Sequence, residues 1–281
     1  MKPTISSKKA AEYFNVNEST VKRWADRGAL KCYRTVGGHR KFLLEDLINY
    51  AKQNNFVTSD FISAGKNDEY KKEIVSRNYK AIIKKLRKGL LEGNTAETYR
   101  LFYSLYINNL SIEEIFDKII KETMIIIGNE WAANTLNIEN EHIATNTLIA
   151  SLYQFERIIV KKSGNNKTAL CTGLSNEYHE IGLLCVKINL EAEGWKVIYP
   201  GINLPYSSVS ELITKTKPGL ICISSTFVKD KKNYLKSIND LKELCKKTSS
   251  QLVFGGDNNL NKINGEIRFN SIAELNRIIK T

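Results

Sequence analysis

Residues 167–182 read Lys-Thr-Ala-Leu-Cys-Thr-Gly-Leu-Ser-Asn-Glu-Tyr-His-Glu-Ile-Gly. An apolar run over Thr168–Gly173 gives way to a polar loop, and helical spacing follows over Ile181–Glu193. That order predicts a strand, a loop and a helix. The alternation continues along the chain. Strands are predicted at Trp195–Tyr199, Leu220–Ser224 and Gln251–Phe254, with a weak one near Glu266–Phe269. Helices are predicted at Ser207–Thr216, Tyr234–Lys247 and Ser271–Ile279. Such alternation implies a doubly wound, flavodoxin-like parallel sheet over residues 164–281, with ligands bound at the carboxyl ends of its strands.

Three motifs fall at those ends. They are Glu177-Tyr178-His179-Glu180-Ile181-Gly182 after the first strand, Ser224-Ser225-Thr226 after the third, and Gly255-Gly256 after the fourth. In this order and at these separations they resemble the cobalamin-binding module, whose pattern is D/E-x-H-x-x-G, then S-x-L/T, then GG. Glu177 stands where Asp is commoner, and Thr226 where Leu is commoner. The resemblance implies that His179 gives cobalt its lower axial nitrogen, replacing the cofactor's own benzimidazole. A ligating imidazole usually donates its other N–H to an acceptor that fixes its tautomer, and Glu177 is the candidate. Gly182 would let the helix start approach the corrin. Ser224 and Thr226 would hydrogen-bond the displaced nucleotide tail, and Gly255 and Gly256 would leave room beside it.

The chain has 281 residues, enough for about two domains. At 42% hydrophobic and 26% charged it has the balance of a globular rather than a disordered chain. Its net charge is +12, and residues 1–57, with 11 basic and 5 acidic side chains, hold half of that excess. A small basic head points to a polyanion partner, most simply nucleic acid. The start, Met1-Lys2-Pro3-Thr4, lacks the apolar core of a signal peptide, and no apolar run approaches the ~20 residues of a membrane helix. A cytoplasmic chain with no membrane partner is therefore expected. Cys32, Cys171, Cys185, Cys222 and Cys245 are scattered without a CxxC pair, which predicts reduced core thiols rather than a disulfide framework or a zinc site.

Within residues 1–57, Ser7–Phe14 and Glu18–Trp24 carry helical spacing on either side of Asn15-Val16-Asn17, and Gly28 closes the second helix. This is a helix-turn-helix, whose second helix can enter a major groove with Ser19, Thr20, Lys22 and Arg23 outward and Val21 and Trp24 inward. Tyr33-Arg34-Thr35-Val36-Gly37-Gly38-His39-Arg40-Lys41-Phe42 follows as a basic hairpin with Gly-Gly at its tip, and Phe42–Tyr50 reads as a further helix. Two helices, a wing and a helix in that order resemble the DNA-binding head of MerR-family regulators over about residues 3–55. By that resemblance Arg34, His39, Arg40 and Lys41 would contact phosphates.

Residues 58–77 read as a linker, and helical spacing returns from Tyr79. Gly93 stops the first helix, Asn94-x-x-Glu97 and Ser111-x-x-Glu114 are capping boxes that open the next two, and a fourth fits Glu139–Lys162. A four-helix bundle over residues 78–163 follows. Within it, Trp131 precedes Glu141-His142 by nine intervening residues. With the cobalamin motifs behind it, this spacing resembles the bundle of CarH/LitR-type photoreceptor regulators, which lies over the upper face of adenosylcobalamin. The resemblance implies that Trp131 packs on the adenosyl group with Glu141 and His142 beside it. One departure matters: Ala132 stands where the family has a histidine that takes the upper cobalt position after light breaks the Co–C bond.

Together these motifs predict a multidomain α and α/β protein. Its expected role is that of a transcription factor, and more narrowly a repressor, which binds an operator in double-stranded DNA as a homo-oligomer, dimer or tetramer, under control of adenosylcobalamin and light. Two alternatives belong to other classes. One is an enzymatic corrinoid methyl carrier of the methionine synthase type; the DNA-binding head argues against it. The other is a haem- or metabolite-sensing regulator with a vestigial corrin site.

Overall fold

A computed structural model describes residues 4–14, 16–54, 70–226, 228, 230–256 and 266–280. The chain divides into two compact units, Met1–Val160 and Lys161–Thr281. Residues 161–163, expected in the bundle, fall within the second unit. The reason is local: Lys162 N–H bonds the Ala192 carbonyl, while Lys161 and Lys162 pair with Glu191 and Glu193 at 2.7 and 2.5 Å.

The first unit begins with β1 (Thr4–Ser6), α1 (Ser7–Phe14), α2 (Glu18–Asp26), β2 (Tyr33–Arg34), β3 (Arg40–Leu43) and α3 (Leu44–Gln53). The strands form an antiparallel sheet in the order β1-β3-β2. Both helices of the helix-turn-helix appear, and so does the wing. Gly28, with φ +72°, closes α2, as a glycine just past a helix end commonly does. Ala10, Ala11, Phe14, Val21, Leu30, Phe42 and Leu47 form the core, and Trp24 meets the Phe14 ring edge-on at 5.4 Å. Two details differ from the sequence reading. β1 is an added strand, and Phe42 is a buried residue of β3 rather than the start of a helix.

Residues 58–69 of the expected linker lie outside the described residues. Its remainder holds α4 (Lys71–Val75), which buries Ile74 beside Tyr70, with the Lys85 ammonium 4.8 Å over the Tyr70 ring. One short turn carries too little periodicity to be read from sequence. Beyond it run α5 (Tyr79–Leu91), α6 (Thr95–Ile107), α7 (Lys121–Ala132) and α8 (Ile138–Glu156). The Ser111–Glu114 capping box forms, each side chain meeting the other residue's backbone N–H. At Asn94 only half forms: Asn94 Oδ1 accepts from Glu97 N–H, while Asn94 N–H bonds the Gly89 carbonyl and the Glu97 carboxylate pairs with Arg100. A π-helical segment, Glu114–Ile120, leads directly into α7. α8 stops at Glu156, short of Lys162, and Val160 N–H bonds the Tyr106 hydroxyl at 2.9 Å. Phe102, Tyr106 and Phe116 surround Phe155 at the centre, at ring separations of 5.6–6.5 Å.

The second unit contains β4 (Thr168–Leu174), α9 (Ile181–Ala192), β5 (Lys196–Leu204), α10 (Tyr206–Thr216), β6 (Leu220–Ser224), α11 (Lys231–Thr248), β7 (Gln251–Gly255), β8 (Ile267–Phe269) and α12 (Ile272–Ile278). Every described strand pair is parallel, in the order β5-β4-β6-β7-β8. The order reverses at β4, so the crevice beyond β4 and β6 is the switch point of a doubly wound sheet. Leu170, Ile221, Ile223 and Phe254 bury one sheet face against Val209, Ile213, Ile238 and Leu241 of α10 and α11. Cys171, Cys185, Cys222 and Cys245 are buried free thiols and Cys32 is half-buried, as expected of core cysteines.

Candidate functional site

The loop from β4 to α9 carries the first motif. Glu177 is 3% exposed, yet its carboxylate is well supplied with donors. Oε1 accepts from the His179 backbone N–H and from His179 Nδ1, both at 2.8 Å, and Oε2 accepts from Thr226 N–H at 2.5 Å. Burial pushes the Glu177 carboxyl up. The His179 ring and the two backbone N–H groups outweigh that, and the net direction is down. A buried carboxylate thus holds the imidazole, whose side chain is 60% exposed. Nδ1 turned to a carboxylate is how a ligating histidine is fixed, so a metal at this ring would meet Nε2. The donor set suits a metal that takes a single neutral imidazole.

The second and third motifs close on the same loop. Ser224 is nearly buried, with Oγ 3.5 Å from the His179 carbonyl. Ser225 N–H donates to the Gly255 carbonyl at 2.9 Å, and Ser225 Oγ lies 2.6 Å from the Tyr234 hydroxyl. Gly256 adopts φ +98°, and a Cβ there would come within 2.9 Å of both the Ser225 carbonyl and Thr226 Oγ1. The glycine is therefore required by backbone conformation and by close approach. At Gly255 a Cβ would lie 2.9 Å from the Phe269 ring, so internal packing also demands that glycine. Gly182, by contrast, faces open space. Glu177, His179, Ser224, Thr226 and Gly256 are thus brought together. A cavity of about 250 Å³, lined by Ser175, Asn176, Glu177, Ser224, Ser225 and Tyr234 among others, opens beside them.

In the bundle, Trp131 ends α7 with its side chain 48% exposed. The turn after it is pinned to the Glu130 carbonyl, which accepts from Thr135 and Leu136 N–H, while the Glu130 carboxylate accepts from Arg87 of α5 at 2.7 Å. Glu141 Oε2 lies 2.7 Å from His142 Nδ1, and Oε1 accepts from Thr145 Oγ1 at 2.8 Å. His142 thus resembles His179 in form: an exposed ring whose Nδ1 faces an anchored carboxylate.

In the head, Ser19 and Arg23 are exposed on α2, Thr20 is half-buried, and Lys22 pairs with Glu18 at 2.9 Å. Arg34 and His39 are exposed, and Lys41 is half-buried. Arg40 is engaged within the head. Its side chain is 19% exposed, and its Nη2 and Nε donate to Asp26 Oδ1 at 2.6 and 3.2 Å, with Arg34 Nη2 at 3.4 Å from the same oxygen. Asp26 therefore ties the wing to α2.

Sequence reasoning missed Asp26, and it missed Gly173, where a Cβ would lie 3.1 Å from Glu177 Cγ. A glycine closing the predicted strand, four residues before the carboxylate, was the available signal. It also missed the end of β5, whose residues hold the ligand loop and leave no motif.

Residues 4–55 match a helix-turn-helix domain family, and residues 82–156 match the B12 binding domain family. The α/β unit lies outside both ranges. The HTH-type transcriptional repressor CarH of Myxococcus xanthus is 20% identical over 128 residues, 46% of this chain and 42% of that protein. The HTH-type transcriptional repressor CarA of the same organism is 22% identical over 111 residues, 39% of this chain and 38% of that protein. The chain thus spans less than half the length of these curated relatives. The monomethylamine corrinoid protein of Methanosarcina barkeri superposes with a TM-score of 0.60 at 19% identity, over 71% of this chain and 97% of that one. At that identity the likeness is one of fold. The chain therefore joins a helix-turn-helix domain to a B12 binding domain, and over less than half its length it resembles the CarH and CarA repressors. Among the described residues, no helix is long and apolar enough to cross a membrane.

Proposed function

We propose that this protein is a cytoplasmic transcriptional repressor, not an enzyme, that binds operator DNA through its head and adenosylcobalamin through the remainder, and that light controls its oligomeric state. The observation that carries the reading is the exposed His179 imidazole fixed by the buried Glu177 carboxylate, with Ser224, Thr226 and Gly256 around the same loop. His179 would be the lower ligand to cobalt. Glu177 would hold the tautomer, Ser224 and Thr226 would meet the nucleotide tail, and Gly182 would face the corrin. Trp131, Glu141 and His142 would serve the adenosyl side. The bound cofactor would supply a cobalt–carbon bond that light can break.

The head would read DNA with Ser19, Thr20, Lys22 and Arg23 and grip phosphates with Arg34, His39 and Lys41. Arg40, expected at a phosphate, would in this reading chiefly hold the wing through Asp26. The test is an absorption spectrum of the full chain incubated with adenosylcobalamin in darkness and then gel-filtered. A corrin spectrum that co-elutes with wild-type protein and is lost in His179→Ala is expected. Equal corrin retention by both proteins would remove His179 from the role of ligand.

A further inference from the structure

The sequence pattern ends strand β5 at Tyr199, but the strand runs through Pro200-Gly201-Ile202-Asn203 to Leu204 along the open edge of the sheet. Its pairing with β4 slips twice. Leu170 faces Ile198, Thr172 faces Gly201 and Leu174 faces Leu204, so two residues of β4 oppose three of β5 in two successive steps. The extra residues are absorbed at Gly201, φ +91°, and Asn203, φ +58°. Bulges of this kind re-aim side chains beside functional sites, and glycine and asparagine are the residues that tolerate the left-handed backbone they need.

The double bulge is aimed at the His179 loop. Asn203 Oδ1 accepts from Asn176 N–H at 2.8 Å, on the residue preceding Glu177. Tyr199 donates its hydroxyl to Glu180 Oε1 at 3.0 Å, on the residue following His179. Ser175 Oγ donates to the Leu204 carbonyl at 3.3 Å, and Thr172 Oγ1 donates to the Gly201 carbonyl at 2.9 Å. Glu177 and His179 are thus clamped on both sides by a strand that contributes nothing to the three ligand motifs.

We infer that Asn203 and Tyr199 are positioning residues for the cofactor ligand loop, acting through Asn176 and Glu180 to set the direction of the His179 ring. This rests on the cobalamin reading. The variants are Asn203→Gly, which keeps the left-handed backbone and removes the acceptor, Asn203→Asp, which keeps both, and Tyr199→Phe. The full-length protein is loaded with hydroxocobalamin and its dissociation constant measured. It is then reduced to the cobalt(II) form, where electron paramagnetic resonance reads the nitrogen coupling of the lower ligand. Asn203→Gly and Tyr199→Phe should each weaken retention about fivefold to tenfold, the usual effect of one lost hydrogen bond. Both should lower the fraction of cobalt(II) carrying the axial nitrogen, and Asn203→Asp should restore it. Unchanged nitrogen coupling in Asn203→Gly and Tyr199→Phe, or equal loss in Asn203→Gly and Asn203→Asp, would overturn the assignment. Amide exchange in the cofactor-free protein decides the case separately. Asn176 and His179 N–H should exchange faster in Asn203→Gly, and unchanged protection refutes the clamp. Failure of the wild type to bind hydroxocobalamin would instead refute the cobalamin reading.

Discussion

At the scale of single residues, two carboxylates do different work. Glu177 is buried and charged, and its position is set by two backbone N–H groups and the ring it orients. Glu177→Gln keeps the shape of the side chain but removes the charge that strengthens the Nδ1 bond. It should reduce hydroxocobalamin affinity about tenfold to a hundredfold, the usual effect of losing a partner behind a metal ligand. Equilibrium dialysis measures this, and unchanged affinity would leave Glu177 as a purely structural group. Asp26 is exposed, but it gathers Arg34 and Arg40 of the wing onto one oxygen. Lys41→Ala should therefore lower the slope of log affinity against log salt by about 0.9, one phosphate contact, on any duplex. Arg40→Ala should instead lower the affinity and the melting temperature of the protein together, because it frees the wing from α2. A gel-shift series in salt and a thermal melt separate the two. If Arg40→Ala lowers the slope without changing the melt, Arg40 is a phosphate contact after all.

At the scale of elements, Glu114 fixes the start of the π-helical segment. Arg77 bonds its Oε1 at 2.9 Å, Tyr79 donates to the same oxygen at 2.8 Å, and Ser111 N–H donates to Oε2 at 3.0 Å. Chiefly through Arg77, and against the opposing effect of burial, the carboxyl is held at about 2 instead of 4.5. A depressed carboxyl contributes stability above its unfolded value and loses it as the pH falls toward the folded one. Glu114→Gln should thus melt below wild type at pH 7, with the gap closing between pH 4.5 and about 2. A gap that stays constant down to low pH would show that the contribution is steric. Here the sequence was legible, since Ser111-x-x-Glu114 announced a capping box and the structure forms one. The π-helical turn behind it was not, because apolar residues at helical spacing look the same whether the backbone closes i→i+4 or i→i+5 bonds. The same contrast holds in the α/β unit. Strand β6 was placed at Leu220–Ser224, its observed bounds, because continuous apolar runs mark buried parallel strands. The end of β5 was not found, because Pro200, Gly201 and Asn203 read as turn residues and become strand only through the bulges opposite β4. The His179 loop was legible from three motifs; the contacts that hold it came from residues without one.

At the scale of the whole molecule, light would act through the size of the assembly. DNA-binding heads grip an operator together, so an assembly that presents several heads binds by avidity, and its dissociation releases DNA without altering a single head. Trp131, 48% exposed at the end of α7, is the residue whose proposed partner is the adenosyl group. Photolysis would remove that group and shift the population toward a different arrangement of the bundle. The dark adenosylcobalamin complex should therefore elute as the larger species on size exclusion, and green light should convert it to a smaller one with weaker operator binding. Trp131→Ala should elute as the smaller species even in darkness. Ala132 denies the illuminated cobalt the histidine found in CarH/LitR-type regulators, leaving two candidates for the upper position: water, or His142 with its Nδ1 held by Glu141 at 2.7 Å. His142→Ala separates them. If the illuminated spectrum changes in this variant, His142 is the upper ligand, and if it does not, water is. A light-induced spectral change with no change in elution or operator affinity would refute the oligomer switch while leaving cobalamin binding standing, because a cofactor can bleach in a protein whose assembly does not depend on it.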